Sequence, residues 1–184
     1  MTNLKDKVTL LERTLNRNKG EKLNTTMVKL MLTTAIALTA LGALNAQETI
    51  QSSQPLAVVN HFFDDFKSGA SAEELANFFD ENAELYIPGD TTNVPWIGKR
   101  TGQKEISEHF KLLKQYIQPE KLSFTDMLTK GDRVVVLGYL ESKMKRNGNV
   151  MKSEFSIDII VKNGRITRYH LLEDSFEVAQ AVNP

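Results

Sequence analysis

Apolar residues recur at three- and four-residue steps in three segments of the chain, which is the spacing of amphipathic helices. The first helix is predicted from Pro55, because proline suits the first turn, to about Lys67, and Gly69 then ends it. The second begins at a capping box that starts at Ser71, and the third covers residues 102–116. We expect the helices to share one core, formed by Val59, Phe62, Phe63, Phe66, Leu75, Phe78, Phe79, Ile106, Phe110 and Leu113.

After Pro119 the pattern changes to four stretches of β-type sequence that are separated by short turns. Two turns contain Asn147-Gly148 and Asn163-Gly164, and such pairs favour tight hairpins because both residues accept positive φ. Four strands in this order predict an antiparallel meander, and strands of this length must curl around the helices. The predicted ranges are about 121–129, 133–145, 150–162 and 165–172, with an earlier short strand at 83–87 and a loop at 88–101.

The segment 27–46 has the order of a secretory signal, with Lys29, then an apolar run, then a small-residue exit. A run of about fifteen residues gives roughly 22 Å of helix, which is short of the roughly 30 Å hydrocarbon layer. We therefore expect cleavage near Ala46, no stable membrane span after cleavage, and a periplasmic or secreted protein. The alternatives are a buried helix and a membrane anchor.

The rest of the chain divides into three parts. Residues 1–26 are polar and fit no signal template, so we hypothesise that Met27 is the true start. Residues 47–55 are predicted to be a linker. Residues 56–184 are predicted to form one domain, because the chain is too short for two substantial cores.

Charge and cysteine content narrow the function classes. Residues 1–46 hold seven Lys or Arg against three Asp or Glu, whereas the remainder carries a net charge of −4. A negative domain does not attract nucleic acid, so we expect no nucleic-acid partner. The absence of cysteine excludes thiolate nucleophiles and cysteine metal sites. The three histidines are spaced too unevenly for a metal triad, so neither a metal nor a cofactor is expected.

Several short strings, in this order, resemble the SnoaL-like, ketosteroid-isomerase-like branch of the nuclear-transport-factor-two-like superfamily. They are Phe62-Phe63 before Gly69, Pro88-Gly89-Asp90, the loop 94–98, the string 131–138, and the string 162–166 followed by Glu173-Asp174. The resemblance covers residues 56–182. It implies an α+β fold in which a cone-shaped, curved antiparallel sheet wraps around three helices, the cystatin-like α+β barrel. It also implies an apolar pocket that is open at one end, and usually a homodimer.

The catalytic groups of the ketosteroid isomerases do not carry over to this chain. Those enzymes use a tyrosine, an aspartate base and a second carboxylic acid. Counting from Gly69 and Pro88 places Phe62 and Ile87 at the positions of the tyrosine and the base. The third position falls on Ile157 or Asp158. Phenylalanine and isoleucine neither ionise nor donate hydrogen bonds, so we reject isomerisation by that mechanism.

Two other carboxyl groups are candidates for acid or base catalysis. Asp158 lies in an otherwise apolar strand, where burial would raise its pKa, although strand alternation also permits an outward side chain. Glu173 alternates with Tyr169 and Leu171 on the face that lines the pocket in relatives, and its alternative is a solvated strand end. The expected pocket consists of Phe62, Tyr86, Trp96, Arg100, Phe110, Tyr139, Phe155, Tyr169 and Leu171, with Trp96 at its rim.

Three functions fit these observations. The first is an exported protein that binds a small apolar molecule, and the second is a lyase, isomerase or hydrolase that uses carboxylate acid and base chemistry. The third is a non-catalytic dimeric assembly module with a vestigial pocket. We expect a homodimer on the outer face of the meander, because Ile166, His170 and Leu172 are predicted to lie there and a two-sided sheet needs a cover on each side.

Overall fold

The computed structural model describes residues 54–183. The predicted extension 1–26, the signal segment 27–46 and most of the linker therefore lie outside the described residues. The helices are α1 at 54–68, α2 at Ala72–Ala76, α3 at Gly102–Tyr116 and α4 at Ser175–Val182. The strands are β1 at Phe79–Ile87, β2 at Gly98–Thr101, β3 at Ile117–Lys130, β4 at Arg133–Met144, β5 at Val150–Lys162 and β6 at Arg165–Glu173.

The six strands form one mixed sheet in the order β2-β1-β6-β5-β4-β3. Strands β3 to β6 are the predicted antiparallel meander. The prediction of a wholly antiparallel sheet is wrong, because β1 pairs with β6 in parallel, with Leu85 opposite Tyr169. The sheet is also not closed into a barrel, since β2 and β3 are its two edges. The α+β class with a curved sheet over helices is confirmed.

Two predicted boundaries in the first half of the domain are wrong. The second helix ends at Ala76 instead of continuing through Phe79, and β1 begins at Phe79 instead of Ala83. The spacing of Leu75, Phe78 and Phe79 suits a helix, but the pairing of Phe79 with Ile166 on β6 outweighs that local preference. The predicted capping box at Ser71 is confirmed.

Three further elements depart from the predicted ranges. The loop 88–101 contains β2, which pairs with the end of β1. Strand β3 starts at Ile117 and includes Pro119, and the edge position tolerates a residue without an N–H. Helix α4 was not predicted. Its N-cap is Asp174, whose carboxylate accepts hydrogen bonds from the N–H groups of Phe176 and Glu177.

The core lies between the helices and the concave face of the sheet. Phe62 on α1 is 1% exposed, and its ring contacts those of Phe79, Phe110 and Tyr169 at centroid distances of 5.7 to 6.1 Å. These rings come from α1, β1, α3 and β6, so one side chain ties together both layers of the fold. Between residues 54 and 183 no helix has the length and apolar character needed to cross a membrane.

Candidate ligand cavity

A cavity of about 100 Å³ lies between α1, α3 and the concave face of the sheet. Its aromatic wall is formed by Phe62, Phe63, Phe66, Trp96, Phe110, Phe155 and Tyr169. Its aliphatic wall includes Ile87, Leu113, Ile117, Leu122, Leu140, Met144, Met151, Ile157 and Leu171. The polar side chains in the wall are Lys121, His109, Ser142 and Glu173. The cavity is therefore mainly apolar, with few polar groups, as small-molecule sites in proteins are.

Six residues of the predicted pocket line this cavity, namely Phe62, Trp96, Phe110, Phe155, Tyr169 and Leu171. Trp96 is only 4% exposed and packs against Tyr116 with a centroid distance of 5.6 Å. It is therefore a buried wall of the cavity instead of the predicted rim. The loop that carries Trp96 is ordered by Asp90, whose carboxylate accepts hydrogen bonds from Thr92 and Asn93.

The other three residues of the predicted pocket lie outside the cavity wall. Tyr86 is 37% exposed, and its ring contacts that of His170 at 5.4 Å. The hydroxyl of Tyr139 donates to Glu141 at 3.1 Å. Strand alternation explains both positions, because a side chain on the convex face cannot reach the concave one. Arg100 donates to the backbone carbonyl of Pro95 at 2.9 Å and so holds the loop.

Glu173 lies at the end of β6, opposite Phe155 of β5, and its side chain forms part of the cavity wall. Burial raises the pKa of this carboxyl to about 7. Burial also raises the pKa of the neighbouring Tyr169 hydroxyl, and the charge of Glu173 adds to that shift. A carboxyl with a pKa near neutrality exchanges protons readily, which suits it to general acid or base chemistry.

The side chain of Asp158 points outward, which was the alternative that strand alternation permitted. Its side chain lies on the convex face of the sheet, at 2.9 Å from Nε of Arg133 and 3.1 Å from Nε of Arg168. The same face carries His170, whose Nε2 donates to Glu84 at 2.6 Å. The hypothesis that Asp158 acts on a ligand in the cavity is therefore wrong. The carboxylate of Asp158 instead forms ion pairs that link neighbouring strands.

No family model matches the sequence, and no curated protein matches it. Solved structures do resemble the fold. An NTF2-like protein from Burkholderia xenovorans is 20% identical, with a TM-score of 0.62 over 72% of this chain and 98% of the other. An NTF2-like protein of unknown function from Burkholderia pseudomallei is 17% identical, with a TM-score of 0.65 over 71% and 98%. The chain has the NTF2-like fold.

A third solved structure also resembles the fold. That protein, from Catenulispora acidiphila, has a ketosteroid-isomerase-like fold and was solved in complex with trimethylamine. It is 16% identical, with a TM-score of 0.52 over 63% of this chain and 85% of the other. In the present chain Phe62, Ile87 and Ile157 all line the cavity. None of these three side chains can ionise or donate a hydrogen bond.

Lys121 and two buried polar residues of the cavity wall, His109 and Ser142, were not predicted from the sequence. His109 is 3% exposed and Ser142 is 7% exposed. The periodicity of the sequence could have indicated that both are buried. His109 follows Ile106 by three residues on α3, and Ser142 occupies an inward position in the alternation of β4. Among the described residues, no three histidine or acidic side chains are grouped in a way that would hold a metal ion.

Proposed function

We propose that this chain binds a small apolar molecule in the cavity. The observation that carries the proposal is a void of about 100 Å³ surrounded by aromatic and aliphatic side chains. Protein interiors are packed almost as densely as organic crystals, so the side chains of a core normally fill a space of this volume. A single water needs only about 10 to 15 Å³ of such space, so the volume exceeds the need of one trapped water.

The walls favour a ligand with rings or branched carbon. Phe62, Phe110 and Phe155 approach the cavity from α1, α3 and β5, so aromatic surface meets the ligand from both layers. Removing apolar surface from water contributes roughly 25 cal/mol per Å². An apolar ligand therefore gains most of its affinity from these rings, whereas the few polar groups set its orientation.

Export and self-association complete the proposal. The signal-like segment 27–46 supports a periplasmic or secreted location. A homodimer on the convex face is supported by Leu128 and Leu172, which are 54% and 56% exposed. The same face carries Arg133, Arg168, Asp158 and Glu84, so both charge signs are present for pairing with a second copy.

Native mass spectrometry of protein purified from the cells that make it is the direct test of binding. A retained compound with a discrete mass identifies the ligand class, and an apolar compound supports the proposal. The same protein is then titrated with a panel of apolar compounds while the emission of Trp96, the single tryptophan, is followed. If no compound is retained and none changes the emission, the binding proposal is wrong and the dimeric assembly module is favoured.

The second candidate is an enzyme of the lyase, isomerase or hydrolase type. It is favoured by one observation, the carboxyl of Glu173 in the cavity wall with a pKa raised to about 7. Such a group takes up a proton from a bound molecule and returns it without leaving the apolar site. Turnover of the retained compound that is lost in Glu173→Gln, with binding preserved, distinguishes catalysis from binding alone.

A further inference from the structure

The imidazole of His109 is a buried polar group that the binding and catalytic proposals leave unused. It lies on α3 between buried Ile106 and Phe110, and it forms part of the cavity wall. Its Nδ1 is 2.7 Å from the backbone oxygen of Trp96. A carbonyl oxygen only accepts, so Nδ1 must carry the proton of this hydrogen bond. The neutral ring is thereby fixed in one tautomer, with an unprotonated Nε2.

The ring stays neutral under ordinary conditions. Burial lowers the pKa of His109 to about 4; the hydrogen bond to Trp96 opposes this shift, and the positive charge of Arg100 adds to it. In the neutral tautomer Nε2 has a lone pair and no proton, so it can accept a hydrogen bond but cannot donate one. Nε2 has no hydrogen-bond partner among the described residues, so its lone pair remains available to a molecule in the cavity whose wall contains the ring.

The other polar groups of the cavity do not impose the same requirement. The hydroxyls of Ser142 and Tyr169 both donate and accept, and the carboxyl of Glu173 does either according to its protonation. Among the buried polar side chains of this wall, His109 is therefore the one whose free nitrogen can only accept, in the tautomer that its hydrogen bond to Trp96 requires. An acceptor of this kind selects for a donor on the bound molecule and against a carbonyl or ether oxygen at the same place.

We propose that Nε2 of His109 accepts a hydrogen bond from the ligand, which is therefore a neutral apolar molecule with a hydroxyl or N–H group. This inference rests on the proposed function, because it assigns the ligand class of the same cavity. Trp96 contributes twice, through its indole in the wall and through the carbonyl that sets the tautomer of His109. The loop 88–97 thus contributes both a wall of the cavity and the carbonyl that fixes the tautomer of His109.

The test uses two probes of nearly equal size, 4-ethylphenol and 4-ethyltoluene, with the full chain. They differ in whether a hydroxyl or a methyl group stands at one end of the ring. We expect both to change the emission of Trp96, and the phenol to bind about tenfold more tightly after correction for its weaker transfer from water. Equal corrected affinities would overturn the inference and leave the cavity proposal intact. If neither probe binds, the proposed function itself fails.

Two variants test whether His109 causes the preference for 4-ethylphenol over 4-ethyltoluene. His109→Phe keeps an aromatic ring but removes both nitrogens. His109→Asn keeps an N–H donor for the carbonyl of Trp96, but its amide oxygen does not reach the position of Nε2, so the acceptor at that position is lost. Each should lose the preference for the phenol and retain binding of 4-ethyltoluene. His61→Phe is the matched control, because His61 lies on α1 outside the cavity wall and should leave the preference unchanged. Retention of the preference in both His109 variants would overturn the inference.

A measurement on the unaltered protein avoids any dependence on how the variants fold. Histidine labelled with ¹⁵N gives separate signals for protonated and unprotonated ring nitrogens, and the chain has three histidines. We expect the unprotonated Nε2 signal of His109 to shift when 4-ethylphenol is added and to shift much less with 4-ethyltoluene. A His109 signal that responds equally to both probes, or to neither when both bind, contradicts the inference.

Discussion

Gly138 of β4 lies directly opposite Phe155 of β5, and a Cβ atom at Gly138 would come within 2.5 Å of Cζ of Phe155. The same atom would lie 2.4 Å from the backbone oxygen of Ser123 on β3. The absence of a side chain therefore lets the ring of Phe155 cross β4 towards Phe124, whose centroid is 6.4 Å away. One glycine thus permits an aromatic wall of the cavity.

Gly138→Ala is accordingly predicted to destabilise the fold. Overpacking of this kind costs about 1 to 3 kcal/mol, because a ring or a strand must shift. Urea unfolding measures the loss as a lower midpoint at unchanged slope. The double variant with Phe155→Leu is the control, and it should recover part of the loss because the smaller side chain relieves one of the two contacts. Additive costs in the double variant would contradict the explanation.

Turn and helix chemistry in the sequence predicted the local structure well. The Asn163-Gly164 turn is confirmed, with φ of 52° and 76° at the two residues. Helix α3 has the predicted bounds. The Asn147-Gly148 pair is only partly confirmed, because residues 145–149 form a longer loop in which Gly148 alone has positive φ. Such features depend on neighbours in sequence, so a pattern can reveal them.

Features that depend on distant residues were predicted poorly. Ile166 was expected on the convex face, but it is fully buried because the pairing of β5 and β6 shifts register between Ile160 and Val161. That bulge changes the face on which every earlier residue of β6 lies. The cavity role of His109 depends likewise on a loop 13 residues away, whose carbonyl sets its tautomer.

The raised pKa of Glu173 predicts a pH-dependent stability. The folded pKa of about 7 exceeds the value of about 4.3 expected for an unfolded chain, so the folded state binds more protons in between. The contribution of Glu173 to the free energy of unfolding is therefore greatest below about pH 4.3, and it falls as pH rises to about 7. At about 1.4 kcal/mol per pKa unit, the loss is at most about 4 kcal/mol.

Glu173→Gln should remove that dependence. Urea unfolding at pH 5 and pH 8 is the measurement, and the variant should show a smaller difference between the two conditions than the original chain. Glu154→Gln serves as the control, because Glu154 is exposed on the neighbouring strand. An equal pH dependence in the Glu173 variant and the original chain would show that this carboxyl is not responsible.

Asp158→Asn is predicted to affect stability without affecting the cavity. The substitution removes the charge that pairs with Arg133 and Arg168 on the convex face. Since these groups are partly exposed, we expect a loss of about 1 kcal/mol or less, and a smaller loss at high salt. Unfolding in urea at two salt concentrations measures it, while the emission of Trp96 reports ligand binding. Weaker binding by the variant would return Asp158 to the list of site residues.

The proposed homodimer is tested at Leu172, which is 56% exposed on the convex face. Leu172→Lys should place a charge in the interface and convert the dimer to a monomer, as measured by sedimentation at micromolar concentration. Phe176→Lys is the matched control, because Phe176 is 67% exposed but belongs to α4 instead of the sheet. A monomer before any substitution would contradict the dimer, and dissociation by both variants would place the interface elsewhere.

Filling the cavity is the last prediction, and it separates an accessible binding site from a passive void. Ser142→Phe places a ring into the cavity from β4, where Ser142 is 7% exposed and part of the wall. We expect ligand affinity to fall by about tenfold or more, which corresponds to about 1.4 kcal/mol, because the new ring occupies the space of the ligand. Titration of Trp96 emission measures the affinity, since the variant keeps that tryptophan as its only one.

The matched control for the filled cavity is Ser156→Phe. Ser156 lies on β5, but it points to the convex face and is absent from the cavity wall. It therefore receives the same added ring outside the site, and it should bind as the original chain does. Thermal unfolding of both variants checks that the ring has not disrupted the fold. If Ser142→Phe folds normally and still binds the ligand with unchanged affinity, the ligand lies somewhere other than this cavity, and the aromatic core serves stability alone.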